Sequence, residues 1–183
     1  PAGASRDVLA RGRAEVGAFS EGLAHGEEGL RIAEAVNHPN SLSGACYGIG
    51  YIYVRKGDMH EALPWLERGM EVSKVWDIPL LFYVISSTLG YAYVLAGRVS
   101  DALPLLEQNV ATEGLAGFRG RVHVWLSEAY LRRGRLDEAL ALAVRSLKIC
   151  RTHAQQGDTA WALQLLGEIH AHRQPPQAEL AEA

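Results

Sequence analysis

The chain has 183 residues, of which 48% are hydrophobic and 21% are charged, a balance typical of folded proteins and not of disordered ones. Its formal net charge of −3 provides no strong positive field that would attract a nucleic-acid backbone or an anionic membrane surface. No apolar run approaches the ~20 residues of a membrane-spanning helix, and no signal sequence opens the chain, so we expect a cytoplasmic protein.

Apolar residues recur at helical spacing along the chain, and no strand is predicted. Helix starts are marked by capping side chains and prolines in the segments 38–41 and 76–79. Pro64 and Pro104 fall early in predicted helices, where we expect a mild bend and not a break. In chain order, the predicted helices cover residues 5–15, 19–36, 41–55, 59–74, 79–95, 99–112, 119–132, 136–153 and 158–172.

A short motif, Gly-x-x-x-acid-Ala-Leu, repeats along the chain. It begins at Gly57, Gly97 and Gly134, and a degenerate copy begins at Gly17. The copies are 40 residues apart, except that Gly134 follows Gly97 after 37 residues. A natural deletion, or a loop absent from this sequence, would explain the shorter interval, and its place is around residues 113–120. A fixed period of this length predicts stacked helical units.

Small residues within each period predict that every unit is a pair of closely packed helices. The motif glycine falls where the first helix ends, since glycine adopts the left-handed conformation without steric cost. An alanine follows where the second helix crosses the first, and another small residue precedes the turn at the complementary contact. These positions are Ala62, Ala102 and Ala139, and Gly50, Gly90, Ser127 and Gly167. We therefore predict an all-α solenoid of antiparallel helix pairs.

Three further glycines predict a connector between two units. Gly114, Gly117 and Gly120 lie close together after the third unit. They predict a plain loop, with a flexible hinge as the alternative.

The order of small residue, tyrosine, glycine and alanine in each unit resembles the tetratricopeptide repeat. The unit is longer than the standard ~34 residues, and the usual proline at the end of the second helix is absent. The resemblance implies a right-handed superhelix of about four repeats within a single domain, residues 1–183. The matching residues are Gly50, Tyr53, Gly57 and Ala62, then Gly90, Tyr93, Gly97 and Ala102, then Ser127, Tyr130, Gly134 and Ala139. The units cover roughly 5–36, 41–75, 79–113, 119–153 and an incomplete 158–183.

Several phrases of the sequence also look like the C-terminal repeat region of bacterial multidomain regulators. Examples are Trp76-Asp77-Ile78-Pro79-Leu80 and Leu89-Gly90-Tyr91-Ala92-Tyr93. In those proteins a cyclase-like domain and an AAA-type or STAND-type ATPase domain precede the repeats. The resemblance implies that this chain is a piece of a longer bacterial signalling protein, with a regulatory and scaffolding role.

No catalytic or cofactor-binding motif is present in the sequence. There is no phosphate-binding loop, and Gly48-Ile49-Gly50 lacks the third glycine of a dinucleotide site. The histidines are scattered, and His170 and His172 point to different helix faces, so we expect no metal ion. Cys46 and Cys150 are interpreted as reduced structural residues. We expect a non-enzyme without cofactors.

The resemblance implies that the first helices line a concave groove, the default site for a protein or peptide partner. Tyr47, Tyr51 and Tyr91 would form an aromatic patch there, although they would equally serve to fill gaps between helices. Arg55 and Arg132 would bind a peptide carboxylate or remain solvated. The predicted groove residues are Tyr47, Tyr51, Arg55, Ser87, Tyr91, Leu95, Val124, Glu128, Arg132, Gln164, Glu168 and His172.

A protein- or peptide-binding module is therefore the first functional hypothesis, with neither nucleic acid nor membrane as partner. One alternative is a small-ligand sensor, in which a change of curvature regulates the attached domains. The other is homo-oligomerisation through the ends of the solenoid.

Overall fold

The computed structural model describes the backbone of residues 2–112 and 114–173, and the side chains of those ranges from residue 6 onward. These residues form nine helices and no strand, and each helix end lies within three residues of its predicted position. The all-α prediction is therefore confirmed. The helices are α1 (Ala2–Glu15), α2 (Phe19–Ala35), α3 (Pro39–Lys56), α4 (Met59–Val75), α5 (Pro79–Leu95), α6 (Val99–Ala111), α7 (Ala116–Arg132), α8 (Leu136–Thr152) and α9 (Gln156–Arg173).

The helices fall into two compact units, which divide within α6 between Leu105 and Leu106. In unit 1, α3 packs against α1, α2 and α4, and α4 packs against α5. In unit 2, α8 packs against both α7 and α9. Helices that follow one another in the chain are thus neighbours within each unit, as helix pairs require. The assignment of all repeats to one domain stays a prediction, and residues 174–183 of the predicted last unit lie outside the described residues.

The turn inside each helix pair is made by a glycine with positive φ. The φ angles of Gly17, Gly57, Gly97 and Gly134 are 78°, 84°, 77° and 73°. At the second of these turns the N–H of Asp58 donates to the carbonyl of Tyr53 at 2.9 Å, which closes the end of α3. The role predicted for the motif glycines is confirmed, since a side chain in this backbone conformation would be strained.

The turns between helix pairs also use positive φ, but without glycine. Asn37, Asp77 and Ala154 follow α2, α4 and α8 with φ of 46°, 48° and 53°. Asparagine and aspartate tolerate this conformation because their short polar side chains bond locally, whereas alanine has no such compensation. Ala154 is therefore the strained member of the three.

Replacing Ala154 with glycine should raise the free energy of unfolding by about 0.5–1 kcal/mol, because glycine removes the left-handed strain at this helix end. Chemical denaturation followed by circular dichroism measures the change. The control is Ala160→Gly inside α9, where the same substitution should be destabilising by about 1 kcal/mol. Equal signs for the two variants would contradict the strain at Ala154.

The small residues permit the close helix contact that the sequence predicts. A Cβ atom at Gly50 would lie 2.7 Å from Cγ of Leu66 and 3.3 Å from the carbonyl oxygen of Ala62. At the same repeat position Ser127 donates its hydroxyl to the carbonyl of Ala139 at 2.6 Å. Gly167 differs, since no described atom comes within 4 Å of a Cβ placed there. The predicted contact is confirmed for the first two positions, and the described residues make no such contact at Gly167.

The prediction of a connector at residues 114–120 is wrong for two of its three glycines. Helix α7 begins at Ala116, so Gly117 and Gly120 belong to its first turns. Gly120 is buried, and a Cβ there would collide with Sγ of Cys150. This glycine is thus a close-packing residue between α7 and α8, and not part of a loop.

Both predicted helix starts carry their proline, but a side chain caps only α3, since α5 has no side-chain cap. His38 accepts the N–H of Ser41 at 3.2 Å, and Pro39 and Pro79 are the first residues of α3 and α5. Both α4 and α6 continue through their internal prolines.

The short interval in the repeat corresponds to a shortened helix. The second helices α2, α4 and α8 each contain 17 residues, whereas α6 contains 13. An α-helical turn contains about 3.6 residues, so α6 lacks one turn at its C-terminal end.

Candidate functional site

In unit 1, the two predicted groove tyrosines of α3 lie close together, but helix α1 covers them. Their ring centroids are 5.9 Å apart, and only 3% of Tyr47 and 8% of Tyr51 is exposed. The guanidinium of Arg11 lies 5.0 Å from the ring centre of Tyr47, and the hydroxyl of Tyr51 donates to the carboxylate of Glu15. In this conformation neither tyrosine offers an open surface to a partner.

Helix α1 approaches α3 closely because two glycines face it. A Cβ at Gly44 would lie 3.2 Å from Oδ2 of Asp7, and a Cβ at Gly48 would lie 3.5 Å from the Cα of Asp7. Residues four apart share one helix face, so the two glycines form a flat strip for α1. Burial raises the pKa of the Asp7 carboxyl, and the charge of Arg11 opposes that rise.

The other predicted residues of unit 1 differ in exposure. Arg55 is exposed and pairs with Glu15 at 3.3 Å. Tyr91 and Leu95 on α5 are half-buried. Ser87 is fully buried and donates to the carbonyl of Tyr83 at 2.7 Å, so it packs inside the protein instead of facing a partner.

In unit 2, most of the predicted residues are at the surface of α7 and α9, two helices that contact each other. On α7, Arg132 is exposed and donates to the half-buried carboxylate of Glu128 at 2.7 Å. On α9, Gln164 donates to Glu168 at 2.9 Å, and both are exposed, as is His172. We call these five residues the first-helix face of unit 2. Val124 is the exception, because it is fully buried in the core of this unit.

Burial changes the protonation of the two thiols and of one histidine. Burial raises the pKa of the Cys46 thiol to about 11, so it stays protonated at neutral pH, and burial also raises the pKa of Cys150. Burial lowers the pKa of His123, with a smaller contribution from the charges of Arg145 and Arg119. Among residues 6–112 and 114–173, no three histidine, cysteine or acidic side chains could hold a metal ion together. None of the described helices is both long and apolar enough to cross a membrane.

The structure also shows a repeated polar bridge that the sequence analysis did not identify. In each copy the tyrosine before the turn donates to a glutamate of the preceding second helix, at 2.7 and 2.8 Å, and an arginine lies over the ring, at 4.3 and 4.0 Å. The two sets are Tyr93, Glu67 and Arg98, and Tyr130, Glu107 and Arg135. Burial and the nearby carboxylate raise the pKa of Tyr93 to about 12. Tyr, Glu and Arg recur at matched positions of the two repeats, and this recurrence in the sequence could have predicted the bridge.

A cleft of about 510 Å³ lies in unit 2 between the end of α6, the middle of α7 and the first half of α8. We call it the α6–α8 cleft. Its apolar side chains include Val110, Leu126 and Leu142, and its charged ones are Glu107, Glu138 and Arg145. The volume is in the range of small-molecule and peptide side-chain pockets.

The charged groups of the α6–α8 cleft are not equally paired. Glu138 bonds Arg135 at 2.5 Å, and Glu107 accepts the hydroxyl of Tyr130 and lies 3.8 Å from the same arginine. Arg145 is exposed and has no ion pair with any residue that the structure describes. Among the described residues of the cleft, Arg145 is therefore the charged side chain without an ion pair.

The paired helices and their glycine turns define a helical-repeat protein, and comparison with known proteins shows which repeat it carries. Two models described as tetratricopeptide repeat match residues 43–74 and 120–145. The chain thus contains tetratricopeptide repeats, as its sequence indicates. No curated protein matches the chain.

Solved structures share the fold. The "putative kinesin light chain nearly identical TPR-like repeats" of Podosopora anserina is 21% identical, with a TM-score of 0.64, and the match covers 93% of this chain and 96% of that one. BtubC (BKLC) from P. vanneervenii is 19% identical, with a TM-score of 0.68, and the match covers 92% of this chain and 78% of that one. Both likenesses support a tetratricopeptide-type helical repeat.

Proposed function

We propose that this chain is a protein-interaction scaffold, which binds a protein or peptide partner through its first helices. The observation that carries the proposal is the first-helix face of unit 2, where Arg132, Gln164, Glu168 and His172 are exposed on two contacting helices. Tetratricopeptide repeats are typical of such scaffolds, and their first helices are the usual binding surface. In unit 1, the exposed Arg55 and the half-buried Tyr91 and Leu95 are the first-helix residues that remain accessible to a partner.

The charges of the first-helix face favour a polar partner that is not strongly acidic. Arg132 is neutralised by Glu128, and Glu168 already accepts from Gln164. Gln164 is uncharged, so Glu168 keeps its negative charge and would repel a strongly acidic segment, whereas a polar peptide would exchange hydrogen bonds with these pairs. The face therefore fits the polar part of a protein interface.

The cellular setting of the proposal comes from the sequence resemblance. The repeats resemble the C-terminal region of bacterial cyclase-like and ATPase regulators, so we place this scaffold in a larger bacterial signalling protein of the cytoplasm. In that setting the repeats bind the partner, and any reaction is carried out by other domains.

A photo-crosslinking experiment tests the binding surface. Benzoylphenylalanine replaces Glu168 in one variant and Arg151, an exposed residue of the second helix α8, in the control. Irradiation in native lysate should give a discrete adduct with the first variant and none with the control, and an excess of the unsubstituted chain should compete for the adduct. Identical adducts at both positions, or none at position 168, would overturn the assignment.

A further inference from the structure

The turn between α4 and α5 exposes several apolar side chains. Val75 is the last residue of α4 and Trp76 caps it, and 67% of the valine and 61% of the tryptophan is exposed. Leu80, in the first turn of α5, is 56% exposed. The other three tryptophans of the chain are buried or half-buried. An exposed tryptophan among aliphatic residues is typical of a contact surface, because it leaves a large apolar area in water.

The preceding turn adds an apolar residue at the same end of the helices. Val36 caps α2 as Trp76 caps α4, and it is 64% exposed. Helices that follow one another in these pairs are antiparallel, so the turns after α2 and α4 lie at the same end of the stack. We define the apolar strip of unit 1 as Val36, Val75, Trp76 and Leu80.

The repeat packing itself does not require apolar residues at this turn. In unit 2 the last residue of α8 and its cap, which match Val75 and Trp76, are Thr152 and His153. Both are polar, and α8 still ends in a turn of the same kind, since the residue after each cap has positive φ. The apolar residues of unit 1 therefore serve a contact outside the fold of the single chain.

Charges of both signs flank the tryptophan. Lys74 precedes Val75 and Asp77 follows Trp76, and both charged residues are exposed. A two-fold contact brings the same patch of two molecules together, so that a residue on one side meets a different residue on the other, and the reverse. With Trp76 near the axis, Lys74 of each copy faces Asp77 of the other. A patch that carries its own complement fits a second copy of this chain.

The area of the strip indicates a reversible contact. Its four side chains together expose roughly 400 Å² in each copy, of which the indole contributes about a third. A standard interface buries about 800 Å² in each partner, so the strip supplies about half of one, and polar residues around it form the rim. We therefore expect a Kd on the order of 10–100 μM for the contact.

We propose that the apolar strip of unit 1 is the interface of a two-fold symmetric homodimer of this chain. The two Trp76 side chains pack together at the axis, and two pairs of Lys74 with Asp77 close the sides. This dimer differs from association through the ends of the solenoid, because the strip lies at the turns between helix pairs. It does not use the first-helix face of unit 2, so it is independent of the function proposed above.

Sedimentation velocity of the whole chain over a dilution series tests the dimer. The sedimentation coefficient should rise from that of a monomer to that of a dimer between about 1 μM and about 500 μM. Trp76→Ser should weaken dimerisation about a hundredfold, because two tryptophans are lost from the centre of the interface. The side chain is largely exposed, so the variant should keep its fold, which circular dichroism checks.

Two exposed leucines at other places serve as matched controls. Leu9 of α1 and Leu163 of α9 are 49% and 46% exposed, and they lie on the first and the last of the described helices. Leu9→Ser and Leu163→Ser should leave the dimerisation constant unchanged. A loss in either variant as large as that in Trp76→Ser would place the contact at the ends of the solenoid and overturn the proposal.

A second pair of variants tests the two-fold arrangement. Lys74→Gln and Asp77→Asn should each weaken dimerisation about fivefold, since each removes one side of both ion pairs. Asparagine suits this position, because Asn37 has φ of 46° in the preceding turn and Asp77 has φ of 48°. The double variant should bind no more weakly than either single variant. Losses that multiply in the double variant would mean that the two charges do not meet.

A chain that remains a monomer up to about 500 μM would also overturn the proposal. The apolar strip would then belong to a contact with a different protein.

Discussion

Replacing Gly50 with alanine should lower the free energy of unfolding by about 1–3 kcal/mol, even though alanine is the better helix former. The new methyl group would lie 2.7 Å from Cγ and 2.9 Å from Cδ2 of Leu66, and 3.3 Å from the carbonyl oxygen of Ala62. Leu66 and Ala62 are fully buried, so neither neighbour has room to move away. The two helices of the pair must therefore separate or Leu66 must leave its rotamer.

The control for this prediction is the same substitution at the same repeat position. Gly167 corresponds to Gly50, but no described atom comes within 4 Å of a Cβ placed there. Gly167→Ala should therefore raise the free energy of unfolding by about 1 kcal/mol through helix propensity alone. Urea denaturation followed by circular dichroism measures both variants. If both stabilise the protein, the contact at Gly50 is not the tight one described.

The opposite signs expected at Gly50 and Gly167 show which part of this fold is encoded locally. Helix boundaries, turn glycines and small contact residues recur with a fixed period, so the sequence alone predicts them. Whether a given small residue is actually covered depends on the next helix. For Gly167 the corresponding second helix is not among the described elements, and the repeat pattern carries no information on this point.

The tyrosines of α3 illustrate a second limit. Their positions in the repeat predict a groove, and they do lie together. Their burial, however, results from α1, which depends on Gly44, Gly48 and side chains more than thirty residues away in sequence. A pattern that describes one repeat at a time does not include such contacts. The positive φ angles of Asn37, Asp77 and Ala154 were not predicted for a simpler reason, since none of these residues is a glycine.

The α6–α8 cleft is recognised from the sequence and the structure together. The sequence contains the short interval of 37 residues and the recurrence of arginine at Arg68 and Arg145. Only the structure shows that Arg68 forms an ion pair with Glu34 and that α6 ends one turn early. It also shows the apolar side chains that line the α6–α8 cleft.

Replacing Leu66 with alanine should lower the free energy of unfolding by about 2–5 kcal/mol, because a fully buried side chain is removed and a cavity remains. Its isobutyl group lies directly against Gly50. The cavity therefore opens where the methyl group of Gly50→Ala would be placed. The double variant Gly50→Ala, Leu66→Ala should be less destabilised than the sum of the single variants by about 0.5–3 kcal/mol.

The matched control for this cycle is Leu106→Ala, which removes the same side chain at the corresponding position of the next second helix. Leu106 is also fully buried, so its single substitution should cost a similar amount. The atoms nearest to a Cβ at Gly50 belong to Leu66 and Ala62, so the double variant Gly50→Ala, Leu106→Ala should show additive losses. Denaturation curves for the three single variants, the two double variants and the unchanged chain give both coupling energies. Only Leu66 lies next to the new methyl group at position 50. Equal coupling energies in the two cycles would therefore mean that the loss of stability in Gly50→Ala does not come from the contact with Leu66.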